Sequence, residues 1–428
     1  MKNKILDIKA REILDSRGNP TVECEIFFEG ENGQIRKAWS AVPSGASTGD
    51  FEAYELRDGD ENRFGGKGVL KAIENIEKKI APELIGLDIT EQEKIDNLMI
   101  NLDGSKNKSN LGANAILAVS MAVCRAGAIA ENQKLYEYIW NLNRGEKSEF
   151  TIPRAFYNVI NGGQHAGNKV AFQEFMISPN LNSFEENYRA VSEIYQTLKK
   201  ILKTKFGGAA TLLGDEGGFA PNDFDREDDA LDLIMEAVEK AGYGGKVDIG
   251  FDIAASEFFQ DRKYNLGYKT NQDNFKNIDE LIEIYLNLLK KYPIISIEDP
   301  FDQSDFFAFS KLREVLKKEN MNIQVVGDDL TVSNPERIKT AIDNRSCDAL
   351  LLKLNQIGTV SEAISSAQLA KNSGWKIMVS HRSGETTDDF IADFSVGIGA
   401  EQIKSGAPAR GERVCKYNRL LTIEKETK

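Results

Sequence analysis

The chain has 428 residues, 41% of them hydrophobic, and a formal charge of −13 at neutral pH. It can bury a core large enough for a barrel plus a smaller domain, and its acidity excludes a basic-footprint binder of nucleic acid or of an anionic membrane surface. Four scattered cysteines, none in a C-x-x-C pair, and only two histidines exclude a Cys/His zinc site and read as reduced, buried thiols.

In chain order, MKNKILDIKAREIL has neither the apolar core nor the cleavage site of a secretory leader, and no run of eighteen apolar residues follows, so a cytoplasmic protein without a membrane span is expected. Residues 4 to about 42 alternate as a small antiparallel sheet, interrupted at Asp15–Pro20 by what reads as a plain turn. The small residues of VPSGASTG (42–49) form either a connector or a loop that folds over a ligand. From about Gly68 to Tyr138 the periodicity is helical, and Ser120 and Arg125 within the apolar stretch Ala113 to Ala130 argue for a buried helix. Residues 1–140 are therefore taken as an α+β domain, 141–152 as a polar linker, and 153–428 as the second domain.

The second domain opens with strands around RAFYNVI and AFQEFMI, with Glu174 placed after a short strand. Between them, His165 sits in the loop NGGQHAGN, either as a surface residue or as part of a site. Ser183 caps a long amphipathic helix, and GDEGGFAP then sets Asp215 and Glu216 among glycines that let backbone approach a ligand. From Val247 to Ala409 six short segments, VDIGFD, IISIED, QVVGDD, ALLLKL, KIMVSH and EQIKSG, present Asp252, Glu298, Asp328, Lys353, His381 and Lys404, spaced 23 to 46 residues apart. Each interval accommodates a crossover helix; Asn334-Pro335 and Thr359 with Glu362 are helix starts within two of them. A closed (β/α) barrel gathers its strand ends at one mouth, so three acids and two lysines converge there. Three carboxylates suit a hard divalent cation, magnesium rather than zinc.

The ordered series DSRGNPTVE, SGASTG, ELRDGD, NGGQHAGN, QEFMI, GDEGGFAP, SIEDPF, DDLTVSNP, LLLKLNQIGT, VSHRSGET and QIKSGAPARGER resembles the enolase family over essentially the whole chain. Departures from the family's usual sequence include Arg154-Ala155-Phe156-Tyr157. The resemblance implies an α/β fold, a modified (β/α)8 barrel preceded by the smaller α+β domain, and interconversion of 2-phospho-D-glycerate with phosphoenolpyruvate and water. It implies two Mg²⁺ per site, one on Asp252, Glu298 and Asp328 and a second on Ser47 shared with the substrate phosphate. By the same resemblance Lys353 is the base, disfavoured as a cation by the metal and Lys404, while Lys404 stays cationic beside the substrate carboxylate. Glu216 is the acid, with Glu174 crowding it into holding a proton; Arg382 and Ser383 bind phosphate; His165 and His381 complete the closed site. A homodimer is implied, with Arg11, Glu23, Arg410 and Glu412 as candidate cross-subunit partners. The alternatives are another acid/base lyase of the superfamily, or a surface or scaffold role with the tail Glu424 to Lys428 as a handle.

Overall fold

The structure, a computed structural model, describes residues 3–30, 33–46, 49–143, 149–224, 226–270 and 272–428. Ser47 lies outside the described residues, as do 144–148 of the expected linker.

Strands β1 (Ile5–Leu14), β2 (Pro20–Glu29) and β3 (Ile35–Ala41) form the antiparallel sheet that alternation predicts. Arg11 faces Glu23 across β1 and β2 and pairs with it at 2.5 Å, so these two candidates for a subunit interface already bond within the chain. Against β2 and β3 packs the helix Ala113–Ala130, the one described helix long and apolar enough to cross a membrane, 83% buried inside the protein. Its polar residues point to the second domain: Ser120 Oγ accepts from Val360 N at 2.9 Å, and Arg125 grips both carboxylate oxygens of Asp388 at 2.8 Å.

The second domain is a closed eight-stranded barrel. Its strands are β4 (Arg154–Asn161), β5 (Glu174–Pro179) and β6 (Val247–Asp252), then, after a small side sheet of β7 (Phe259–Gln260), β8 (Lys263–Asn265) and β9 (Phe275–Lys276), β10 (Ile294–Glu298), β11 (Gln324–Gly327), β12 (Ala349–Leu352), β13 (Lys376–Ser380) and β14 (Gln402–Lys404). All neighbours run parallel except β5, which is antiparallel to both β4 and β6. The segment 162–173 holds one 3-10 turn and no crossover helix, so the chain returns in the reverse direction. Glu174 consequently opens its strand rather than following one, and lies opposite Asn161 and Asp252, the last residues of their strands.

Helices cover the barrel and start where the capping residues sit: Asn334 accepts from Glu336 N and Arg337 N, Thr359 from Glu362 N, and Ser183 from Glu186 N. The interior is filled by Phe156, Met176, Val326, Ala349, Leu351 and Met378. Gly250 leaves the space that Phe156 occupies, since a Cβ there would lie 2.8 Å from its ring. The Arg154–Tyr157 segment thus acts inside the barrel, with Arg154 pairing to Asp248 at 2.6 Å at the opposite end from the mouth. Cys24, Cys124 and Cys347 are buried free thiols, whereas Cys415 is partly exposed on the last helix.

Candidate active site

At the mouth the strand ends bring Asp252, Glu298, Lys404 and Glu174 into one buried cluster. The Lys404 ammonium lies 2.8 Å from both oxygens of Glu298 and 3.3 Å from Asp252 and Glu174. Burial alone would lower its pKa, but the acids raise it well above the usual lysine value. Glu298 moves up as well, first through burial and then through the charge of Asp252. Asp328 pairs with the Lys353 ammonium and accepts from Gln356 at 2.8 Å. Despite burial, Asp328 keeps Lys353 above its ordinary value, and Lys353 and Lys404 keep Asp328 below its own. The expectation has the metal and Lys404 together disfavouring the Lys353 cation; among the protein's own groups, Asp328 outweighs burial, Arg382 and Lys404.

Opposite Lys353, the GDEGGFAP loop delivers Glu216. Its Oε2 accepts from Asn158 at 2.9 Å, and its Oε1 lies 3.3 Å from His381 Nε2 and 3.5 Å from His165 Nδ1. Both histidines are buried, which settles His165 as part of the cavity lining and not a surface residue. Crowding shifts the two glutamates in opposite directions. Burial and Glu216 push Glu174 well up, while the two imidazoles outweigh burial and hold Glu216 well down.

Arg382 is buried with its fork on Glu52, at 2.8 and 3.2 Å, and Ser383 Oγ accepts from Ala46 N at 2.7 Å. The Asp15–Pro20 turn is not a plain turn: Arg17 reaches Ser383 Oγ at 3.3 Å and the carbonyls of Ser44 and Gly45. Lys353, Glu174, Glu216, Asp252, His165, His381, Arg382, Ser383 and Lys404 together line one small pocket at the barrel mouth. Glu52, Arg17, Asn158, Gln173 and Gln356 escaped the sequence reading because none ends a patterned element; Gln173 reaches Asp252 at 3.3 Å.

Among the described residues, two sets of ligand atoms lie within 4.8 Å of one another: His165, Glu174, Glu216 and Asp299, Asp328, Asp329. The expected trio is not among them, because Asp252 and Glu298 grip Lys404 while Asp328 grips Lys353. The donors nevertheless fit a hard divalent ion. Asp252, Glu298 and Asp328 are buried carboxylates, crowded enough that Asp299, beside Asp328, is pushed up to about 8 by burial and its neighbours' charge. A further positive charge relieves that crowding.

Residues 149–428 match the family described as "Enolase, C-terminal TIM barrel domain", and residues 5–139 match "Enolase, N-terminal domain". A curated enolase from Mastigamoeba balamuthi is 54% identical over 430 residues, 99% of this chain and 95% of that protein.

Proposed function

Since the chain belongs to the enolase family and carries out its metal-dependent interconversion of 2-phospho-D-glycerate and phosphoenolpyruvate, we propose that Lys353 is the base at C2 and Glu216 the acid at the departing hydroxyl. The observation that supports this assignment is that Lys353 and Glu216 line one pocket from different barrel loops. Asp252, Glu298 and Asp328 would hold one Mg²⁺ and Ser47 would help hold a second; when bound, the ions would supply positive charge to offset the extra negative charge that proton removal places on the substrate carboxylate.

Asp328 holds either the Lys353 ammonium or a cation, so engaging Asp328 elsewhere frees the amine to accept a proton. Lys404, cationic among its acids, orients the substrate carboxylate. The Glu174–Glu216 pair supplies one proton, which passes within the pair to the oxygen facing the leaving group. Arg382 and Ser383 bind phosphate, the phosphate taking the fork now filled by Glu52. His165 and His381 wall the cavity and exclude water. The protein is taken to act in the cytoplasm as a homodimer; of the remaining candidates Arg410 is partly exposed, whereas Glu412 Oε1 is buried 3.5 Å from Arg413 Nε of the same chain. A monomeric mass by light scattering across a wide concentration range contradicts the dimer.

Chelated protein titrated with Mg²⁺ in the presence of 2-phosphoglycerate tests the metal assignment. Appearance of phosphoenolpyruvate absorbance with two ions bound per chain supports it. Full turnover in chelator, or one ion at saturation, contradicts it.

A further inference from the structure

Arg413, on the helix Gly411–Thr427, is wholly buried. Its guanidinium donates to the carbonyls of Arg382 and Ser383, each at 2.6 Å, and of Asp215 at 3.0 Å. It therefore staples the loop bearing Glu216 to the loop bearing His381 and Ser383. The same Nη1 lies 2.6 Å from His381 Nδ1. A guanidinium has only donors, so Nδ1 must offer its lone pair; a hydrogen on Nδ1 would be driven against the N–H of the arginine. The neutral ring then carries its hydrogen on Nε2. That nitrogen is buried, faces Glu216 Oε1 at 3.3 Å, has no hydrogen-bond partner and lines the cavity. Gly406, with φ of 77°, leaves room for the arrangement: a Cβ there would sit 2.9 Å from Arg413 Cδ and 3.1 Å from His381 Cε1.

We propose that Arg413 is a positioning residue that locks His381 in its Nε2–H tautomer, making the ring a fixed hydrogen-bond donor into the cavity and barring it from service as a base through the nitrogen that faces substrate. The inference rests on the proposed reading of this cavity as the catalytic one. It leaves Lys353 without a competing base on the His381 side.

The chain's two histidines make the test direct. In a solid-state ¹⁵N spectrum of the histidine-labelled, Mg²⁺-loaded protein, with His165→Gln used for assignment, His381 should show a protonated Nε2 and an acceptor Nδ1. The Nδ1 signal should lie upfield of a bare acceptor because a charged donor is bound to it. Arg413→Lys, which keeps a donor, should preserve this signature. Arg413→Met should lose it, with kcat falling about tenfold and KM changing less. A protonated Nδ1, an imidazolium, or an unchanged spectrum and kcat in Arg413→Met overturns the proposal. Should the methionine variant not fold, a bare-acceptor Nδ1 signal in the wild type overturns it equally. Turnover of 2-phosphoglycerate by the same wild-type sample separates the two levels. Turnover with the wrong tautomer fails the role of Arg413 alone, and the right tautomer without turnover fails the reading of the cavity alone.

Discussion

Asp252, Glu298 and Asp328 each have an oxygen engaged by a lysine in the mouth, so a neutral amide at any of the three removes charge without removing shape. Asp252→Asn, Glu298→Gln and Asp328→Asn should each lower Mg²⁺-supported kcat by at least about a hundredfold while circular dichroism shows a folded chain. Unchanged turnover at saturating substrate contradicts the metal assignment. At this scale the sequence revealed which residue types converge but not their charge states. The pairing of Asp328 with Lys353, and the opposite shifts of Glu174 upward and Glu216 downward, depend on distances of a few ångströms that no spacing rule contains. Glu52 was equally illegible, since its partner Arg382 lies 330 residues away.

Strand and helix existence was legible because the barrel strands carry short apolar runs, ALLL of β12 being apolar throughout, and the helices that follow Ser183, Asn334 and Thr359 begin with side-chain caps. The direction of β5 was not read, although the short segment 162–173 contained the reason. The turn at Asp15–Pro20 was misjudged because its chemistry is made by the loop it touches, not by its own residues. Between the N-terminal elements and the barrel, Arg125 is one tie: it holds Asp388 through both nitrogens and Asp389 at 2.8 Å, and stacks on Trp39 and Phe390. Arg125→Met leaves the buried Asp388 unpaired and should cost about 3 kcal/mol in chemical denaturation. Arg125→Lys should recover only part of this, because an ammonium cannot fork. A loss below about 0.5 kcal/mol contradicts the tie.

For the molecule as a whole, the acidic charge and the ring of strand ends foretold a barrel enzyme for a small substrate, while the buried pocket joining His165, Glu216 and His381 brings together loops that lie far apart in the chain. Burial also shapes the response to acid. Burial pushes His381 down to about 3 and lowers His165, whereas both return to about 6.5 on unfolding. As pH falls below about 6.5 the unfolded chain takes up protons that the folded one refuses, so this stability is complete above that value and lost towards pH 3. Asp299, raised to about 8, works in the opposite sense. The histidine contribution is therefore isolated by comparison: any urea-midpoint advantage of wild type over His381→Gln should shrink between pH 7.5 and 5, and a constant difference contradicts a neutral buried ring. The division of labour between Lys353 and Glu216 across the cavity is tested most directly by exchange of the substrate C2 hydrogen, followed by proton NMR in D₂O with Mg²⁺ and 2-phosphoglycerate. Lys353→Ala should abolish both exchange and dehydration, while Glu216→Gln should abolish dehydration and retain exchange. Exchange retained in Lys353→Ala, or lost as completely in Glu216→Gln, contradicts it.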